Sequence, residues 1–193
     1  MAEVEIVIEG HYKKTGISNL DKQLSVVVRQ VFREIVNSIE DKSKEFARGD
    51  AQVPTHVGGQ ADHRIGQSES GYISTGELEE GIETIRSPVR GYSFSATVKS
   101  TSERSSNVEF GTGIYGKNMQ VIKAKTPGGT LTFKTPKFGW VNKTSIRGQR
   151  PNPFMRGAVW WTQDHLKEIL KTVQTDMSSR KIKELIQIES TVG

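Results

Sequence analysis

Apolar and polar residues alternate at the start of the chain and then change to a helical spacing. In the segment 3–9, apolar side chains occupy every second position, at Val4, Ile6 and Ile8, which predicts a half-buried β-strand. From Leu20 onwards, apolar residues recur every three or four positions, and Ser18 or Asn19 can cap the helix that this spacing predicts. We therefore expect a long amphipathic helix near residues 19–48, with its apolar stripe on a sheet.

The next part of the chain has the pattern of a loop followed by short strands. Residues 52–74 are rich in glycine and polar side chains, which is typical of a mobile loop. Alternation over residues 82–86 and 92–98, on either side of a turn that contains proline and glycine, predicts an antiparallel pair of strands. The strand pair, and not the loop, is therefore expected to contribute to the core.

A second hairpin is predicted further along the chain. Residues 119–125 and 130–135 flank Pro127-Gly128-Gly129, and adjacent glycines can adopt the positive φ that tight hairpin turns require. We expect these two segments to pair as a basic hairpin arm over residues 119–135. Alternation over 139–142 predicts one more short strand.

The clearest boundary in the sequence is Asn152-Pro153. Asparagine caps a helix by accepting a backbone N–H, and proline at the first helical position loses no donor that the helix needs. A helix is therefore predicted from Pro153, and its apolar face contains Phe154, Ala158, Trp161, Leu166, Ile169, Leu170 and Val173. Ser178-Ser179 can cap a further helix, so residues 177–193 are expected to form a helical extension.

Together these elements predict an α+β fold. An antiparallel β-sheet is packed by the long N-terminal helix and the C-terminal helix, and the basic β-hairpin protrudes. The 193 residues suffice for one hydrophobic core, so we expect a single domain over residues 1–176, followed by the extension at 177–193. Hydrophobic residues make up 34% of the chain, or roughly 44% with glycine against about 45–50% in typical domains, which predicts a lean core and much surface for partners.

Composition excludes several classes of protein. The chain has no cysteine, which rules out disulfides, thiolate zinc sites, Fe–S clusters and a cysteine nucleophile. Its longest apolar runs are far shorter than the ~18–20 residues that a membrane span needs. The N-terminus is acidic and alternating, whereas a secretory signal is basic and then continuously apolar. We expect an intracellular protein without a membrane partner.

Charge is distributed unevenly along the chain, whose net charge is +5. Residues 62–83 are acidic, with six carboxylates against one arginine. Residues 110–163 contain no Asp or Glu, and their nine positive charges are Lys117, Lys123, Lys125, Lys134, Lys137, Lys143, Arg147, Arg150 and Arg156. The two segments can pair within the fold or between identical subunits, or the basic segment can bind phosphates.

No group of residues in the sequence indicates catalysis. His56, Asp62 and His63 lie close together in the predicted loop, but their spacing matches no metal site, and such a loop supplies no further residues to orient the ligands. The paired glycines of the chain lack the surrounding residues of a phosphate-binding loop, and no nucleophile elbow is present. We therefore expect a protein that is not an enzyme and has no catalytic residue, cofactor or metal site.

A basic hairpin can also follow a nucleic-acid backbone, because each neutralised phosphate releases counterions. The candidate contacts are Lys123, Lys125, Lys134, Lys137, Lys143 and Arg147. Three aromatic residues, Phe133, Phe138 and Trp140, interleave with the lysines, as in proteins that stack bases. Strand positions that face a core show the same alternation, so the sequence leaves both interpretations open. A DNA-binding accessory protein is the alternative function.

Three segments, in order along the chain, are similar to one protein family. They are Thr75-Gly76-Glu77-Leu78-Glu79-Glu80-Gly81-Ile82, Val108-Glu109-Phe110-Gly111-Thr112-Gly113-Ile114-Tyr115 and Gly148-Gln149-Arg150-Pro151-Asn152-Pro153-Phe154-Met155-Arg156. With Gly139-Trp140-Val141 before the last segment, the set resembles the neck and tail-completion family of tailed bacteriophages, which includes head-tail joining and minor tail proteins of the lambda protein Z type. The resemblance extends from the long helix to the helix after Pro153.

The resemblance implies a structural virion protein that forms a homo-oligomeric ring around the DNA passage, at the head-tail junction or the top of the tail. A hexamer, assembled in the host cytoplasm, is the implied form. The implied partners are further copies of the chain, the adjacent head-completion or connector, tail-terminator and tail-tube proteins, and double-stranded DNA in the lumen. In such a ring, we expect the acidic segment 62–83 of one subunit to meet the basic segment 117–150 of the next.

Candidate interface residues belong to the same segments. Alternation around Glu109 points its carboxylate away from the core, where it can accept from a backbone N–H or from an arginine of a neighbouring subunit. Arg150 and Arg156 flank the start of the C-terminal helix and are the expected arginine partners. The full set of expected interface residues is Glu77, Glu79, Glu80, Glu109, Arg150 and Arg156.

Overall fold

A computed structural model of the chain describes residues 4–12, 15–16, 18–49, 53, 56–57, 60–61, 76–87, 93–135, 138–173 and 186–192. Its elements are β1 (Val4–Tyr12), α1 (Ser18–Arg48), β2 (His56–Val57), β3 (Gln60–Ala61), α2 (Glu77–Glu80), β4 (Ile82–Arg86), β5 (Ser93–Ser100), α3 (Ser105–Phe110), a 3₁₀ turn (Gly113–Tyr115), β6 (Ile122–Lys123), β7 (Leu131–Thr135), β8 (Gly139–Lys143), β9 (Ser145–Ile146), α4 (Phe154–Asp164), α5 (Leu166–Val173) and β10 (Ile186–Val192). Helices and antiparallel sheets confirm the predicted α+β class. Across the described ranges, no helix is long and apolar enough to cross a membrane.

The main sheet has four antiparallel strands in the order β10, β1, β5, β4. The alternation that predicted β1 is present, since Val4, Ile6 and Ile8 are buried and Glu5 and Glu9 are exposed. The predicted antiparallel pair is confirmed as β4 and β5. Strands β1 and β5 lie in the middle of the sheet, so each has hydrogen-bonded neighbours on both sides.

The long helix α1 packs on this sheet and on α4. Its buried apolar side chains include Leu24, Val28, Val31, Ile35 and Ile39 of the predicted stripe. Phe32, Val36, Phe46 and Ala47 are buried as well. Full burial of one Val, Leu, Ile or Phe side chain stabilises the fold by about 1.5–3 kcal/mol. Gly49 ends the helix with a φ of 82°, and its N–H donates to the Phe46 carbonyl, as is usual for a glycine just after a helix. The helix predicted from Pro153 is present as α4 and α5, which are separated at His165, but α4 begins at Phe154 with Pro153 in the N-cap position. The predicted cap by the Asn152 side chain is therefore wrong.

The C-terminal extension differs from its prediction. Residues 186–192, part of the predicted helical extension 177–193, form strand β10, which pairs with β1; the rest of that helix lies outside the described residues. The helical prediction is wrong for β10 because Ile186, Ile188 and Val192 are β-branched and are separated by two and four residues, a spacing that fits the two-residue period of a strand. The neighbouring edge of β1 also supplies backbone partners that a local pattern does not reveal. This strand is part of the main sheet.

The predicted hairpin over residues 119–135 has a different pairing in the structure. β7 pairs with β8, and β6 pairs with β9. The β7–β8 pair lies between β6 and β9 in the chain, so the two pairs are nested within one longer segment, residues 119–147, which we call the basic arm. Within it, residues 136–137 lie outside the described residues. Gly128 does turn the chain, with a φ of 73°, but strand partners are decided by which faces match across the ladder, such as Phe133 opposite Val141. The predicted strand at 139–142 is confirmed as β8.

The basic arm lies outside the hydrophobic core. The core that the described residues form has members from β1, α1, α2, β4, β5, α3 and α4, and none from residues 119–147. Of the predicted loop 52–74, β2 and β3 form a short antiparallel ladder, Val53 packs against the core, and the other residues lie outside the described ones. The packing of the described core therefore does not depend on side chains of the basic arm.

Candidate functional site

The Glu109 side chain caps α4 from a separate helix. Glu109 is in α3 and has 0% exposure. Its Oε2 accepts the backbone N–H of Met155 at 2.9 Å, and its Oε1 accepts the backbone N–H of Arg156 at 3.1 Å. These donors belong to the first turn of α4, where helix N–H groups have no partner within the helix and a negative charge is favoured by the helix dipole. The carboxylate therefore satisfies buried donors that would otherwise be unpaired.

Arg156 completes this cluster from the other side. Its Nε donates to Glu109 Oε1 at 2.8 Å, and its Nη2 donates to the Glu109 carbonyl oxygen at 3.0 Å. Its guanidinium also lies over the rings of Phe110 and Trp160, 4.8 and 5.8 Å from their centroids, close enough for cation–π attraction. Burial raises the pKa of the Glu109 carboxyl, while Arg156 and the two backbone N–H groups act to lower it.

The Glu109 side chain has the kinds of donor that the sequence predicts, but not the predicted place in the fold. A backbone N–H and Arg156 were expected as donors, and both donate to the carboxylate. The arginine was expected from a neighbouring subunit, however, and this is wrong, because Arg156 of the same chain makes the contact. The side chain was expected to point away from the core, and this is wrong, because residues 105–110 form a helix that turns it inward. Gly111, which follows this helix, has a φ of 76°. A glycine in a sequence can follow either a helix or a strand, so Gly111 did not reveal that residues 105–110 are helical. Glu109 is thus corrected from an interface residue to an internal one.

Arg150 and Arg156 have different surroundings. The Arg156 side chain forms an ion pair with Glu109 and is 20% exposed. Arg150 is exposed, and its guanidinium lies 5.5 Å from the centroid of the Tyr115 ring. Of the two arginines expected beside Glu109, only Arg156 pairs with it among the described contacts.

Two backbone segments run against each other beside this ion pair. The Thr112 N–H donates to the Gln149 carbonyl at 2.9 Å, and the Gln149 N–H donates to Thr112 Oγ1 at 2.9 Å. Gly113 and Gly148 permit the approach, because both have positive φ, and a methyl group on either would overlap a backbone carbonyl of the facing segment. The second and third segments of the resemblance therefore form one structural unit, a relationship that sequence reasoning missed.

The acidic residues near α2 pair mostly within the chain. Glu77 lies 3.3 Å from Arg104, and Glu79 lies 3.1 Å from Arg48. Glu80 is exposed. Partly exposed ion pairs of this kind contribute about 0–1 kcal/mol each. Glu77 and Glu79 are thus already engaged, which weakens their expected role as partners of a basic segment from another subunit.

The basic arm exposes large apolar side chains beside its charges. Met119 and Trp140 are each 73% exposed, and Phe138 is 71% exposed. The core-facing interpretation is therefore wrong for Phe138 and Trp140, while Phe133 is half-buried. The basic side chains Lys123, Lys125, Lys134, Lys143 and Arg147 are exposed, and Lys137 lies outside the described residues.

A cleft of about 790 Å³ lies where the basic arm joins the core. It is lined chiefly by Phe110, Ile114, Tyr115, Met119, Pro151 and Arg156. Most of these side chains are apolar or aromatic, and the lining also includes the cations Lys117 and Arg156. Among the residues that the structure describes, no three His, Asp or Glu side chains are grouped to hold a metal ion.

Comparison of the chain with protein-family models, curated proteins and solved structures finds no match.

Proposed function

We propose that the chain is a structural subunit of a tailed-phage virion. It assembles with identical copies, in our proposal six, into a ring around the DNA passage at the head-tail junction or the top of the tail. The observation that carries the proposal is the exposed basic arm, which presents Trp140 to solvent and contributes nothing to the described core. Exposed large apolar side chains that cluster on one segment indicate a surface that a partner covers.

The arrangement of the three segments of the resemblance also supports this proposal. The first segment contributes Leu78 to the same core as Val108, and the second and third are joined by Glu109 and Arg156. The second and third segments thus meet at the start of α4, and the first segment belongs to the same hydrophobic core. Such a rigid body is suited to fixing the direction in which the basic arm leaves the core, and a ring requires that every copy hold the same angle to the next.

Purified virions provide the direct test of this proposal. We expect the polypeptide in density-purified particles at a constant copy number, measured by quantitative mass spectrometry against the major tail protein. Deleting its gene should leave heads and tails that do not join, or tails that do not mature, by negative-stain electron microscopy. Normal infectivity of the deletion strain, or particles without the polypeptide, would show that the proposal is wrong.

A DNA-binding accessory protein is the second candidate, because five basic side chains of the basic arm are exposed. Binding through phosphates falls with salt, with a log–log slope of about −0.9 for each phosphate neutralised on duplex DNA. Tight duplex binding by the purified chain at physiological salt, with a slope of about −4 that is reduced by Lys123→Glu and Lys125→Glu, would favour this function over the virion proposal.

A further inference from the structure

A groove of about 350 Å³ lies between α1, α4 and α5, on a part of the molecule distinct from the basic arm. Two aromatic rings line it, Trp161 and His165, which stack with their centroids 3.9 Å apart. The His165 ring is held in place by a 2.8 Å hydrogen bond between its Nδ1 and the Trp161 carbonyl. Lys42 lies over the Trp161 ring at 4.3 Å. The groove therefore has a fixed aromatic wall.

Three carboxylates line the same groove, from Glu34, Asp41 and Glu168. In the part of the chain that the structure describes, none of the three forms an ion pair. Lys42 also lines the groove, but its ammonium is paired with Glu45. The groove thus combines an aromatic wall with uncompensated negative charge, and a cation attached to an aromatic ring would match both properties.

The basic arm presents that combination. In the β7–β8 ladder, Lys134 lies directly opposite Trp140, so the two side chains emerge side by side from one face. Both are exposed. On the same face, the Thr132 hydroxyl donates to Asn142 Oδ1 at 2.6 Å, which fixes the two strands next to the pair.

We propose that the Lys134–Trp140 face of the basic arm of one copy occupies the groove between α1, α4 and α5 of a second copy. The Trp140 indole packs against His165 and the edge of Trp161, because His165 and Lys42 already cover the two faces of the Trp161 ring, and the Lys134 ammonium faces the groove carboxylates. The volume is sufficient, since a cavity of about 150 Å³ holds a benzene molecule. This inference rests on the self-assembly in the proposed function and names the surfaces that carry it.

The contact has a consequence for symmetry. The arm and the groove are different surfaces of one chain, so each copy uses its arm on one neighbour and its groove on the other. Such head-to-tail contacts close into a ring or continue as a filament. In this contact the groove carboxylates take the place of the acidic segment 62–83, which was expected to meet the basic segment of the next subunit. Glu77 and Glu79 of that acidic segment are paired within their own chain.

The absence of cysteine from the chain permits a direct crosslinking test. The variant with Asn142→Cys on the arm face and Glu168→Cys in the groove, treated with a short bismaleimide, should give a ladder of covalent oligomers. The two single variants, mixed, should give a covalent dimer and nothing larger. Lys143→Cys with Glu168→Cys is the matched control, since Lys143 lies across from Leu131 on the other face of the hairpin, and its yield should be at least tenfold lower.

Charge reversal tests the same contact without a crosslinker. Lys134→Glu and Glu168→Lys should each weaken self-association at least tenfold by mass photometry, and the double variant should recover it. Lys143→Glu should stay within twofold of the natural chain. If the natural chain is monomeric in solution, the crosslinking variants are treated in assembled particles, where a missing ladder overturns the inference.

The outcomes separate the two proposals. Rings that form with unchanged affinity in Lys134→Glu, or a double-cysteine variant that gives no ladder, overturn the arm-in-groove contact and leave the virion role standing. A chain absent from particles overturns the virion role itself. Crosslinking of the groove cysteine to a different protein in particles, with no ladder, likewise shows that the groove is occupied by another partner and overturns the inference.

Discussion

Arg156 binds Glu109 at both its side chain and its backbone, with Nε 2.8 Å from the Oε1 oxygen and Nη2 3.0 Å from the carbonyl oxygen. Because the carboxylate also accepts two N–H groups from the first turn of α4, one side chain joins α3 to α4. Removing one partner of a buried pair costs about 3–5 kcal/mol, and the unpaired helix donors add to that cost.

We therefore expect Glu109→Ala to lower the free energy of unfolding by at least about 3 kcal/mol, measured by urea denaturation. Glu109→Gln keeps the side-chain volume and one acceptor oxygen, so it should lower the free energy of unfolding by roughly half as much as Glu109→Ala does. Glu103→Ala is the control, because Glu103 is exposed, and it should change stability by less than about 0.5 kcal/mol. Equal stability of the Ala variant and the natural chain would mean that the cluster does not hold the helices together.

The raised pKa of Glu109 predicts a pH dependence with a definite sign. Since the folded state keeps this proton to higher pH than the unfolded chain does, the stability contributed by Glu109 is complete below the ordinary value of 4.5 and is lost as the pH rises through the folded pKa. The difference in unfolding free energy between the natural chain and Glu109→Gln should therefore fall from acidic to mildly alkaline pH. A rise over the same range would show that Arg156 and the helix donors outweigh burial.

Glu40 should show the opposite sign. Burial acts to raise its pKa, but hydrogen bonds from Lys44 and Thr84 and the charges of Lys44 and Arg86 outweigh it and hold the pKa below the ordinary value. The stability that Glu40 contributes is present above the unfolded pKa and is lost as the pH falls through the lowered one. The unfolding free energy of the natural chain, relative to that of Glu40→Gln, should fall between pH 6 and 3, by less than about 1 kcal/mol. A constant difference between the two would contradict this.

Local patterns predicted the parts of the fold that are set locally. β1 follows from alternation, α1 from the stripe between Leu24 and Ile39, and the start of α4 from Asn152-Pro153. The wrong predictions concern strand pairing, which depends on residues far away in the sequence. Nothing within residues 186–192 specifies that β1 has an edge for them, and the turn at Gly128 does not reveal that β7 pairs with β8.

The candidate site was predictable in chemistry but not in position. Glu109 and Arg156 were recognisable as partners because a carboxylate and a guanidinium near a helix start attract each other and the helix donors. Burial of Glu109 depends on α3 packing beside α4, which a strand-like pattern conceals. The groove beside Trp161 and His165 was missed as well, although their spacing of four residues on a helix places the two rings side by side.

Gly113 should tolerate no side chain. A methyl group there would overlap the Arg147 carbonyl oxygen, which also accepts the Ile114 N–H at 2.8 Å, so the two segments would have to separate. We expect Gly113→Ala to destabilise the chain by more than about 3 kcal/mol. Gly128→Ala has a similarly positive φ but nothing within 4 Å of the added carbon, and should cost only about 1–2 kcal/mol. Thermal unfolding of both variants measures their loss of stability relative to the natural chain. Equal losses would mean that the positive φ, and not the overlap with the Arg147 carbonyl, causes the destabilisation.

Removal of the basic arm should separate folding from assembly. Replacing residues 120–145 with a short Gly-Ser linker leaves the hydrogen bonds of Thr112 and Ile114 with the segment before α4 in place, and it removes no side chain of the described core. The shortened chain should therefore unfold cooperatively, with an unfolding free energy within about 1 kcal/mol of the natural chain, since loop length has a weak effect on stability. Its self-association and its incorporation into particles should be lost, measured by mass photometry and by complementation of the gene deletion. A shortened chain that still complements would show that the arm is dispensable for assembly, whereas loss of cooperative unfolding would show that the arm is required for the fold.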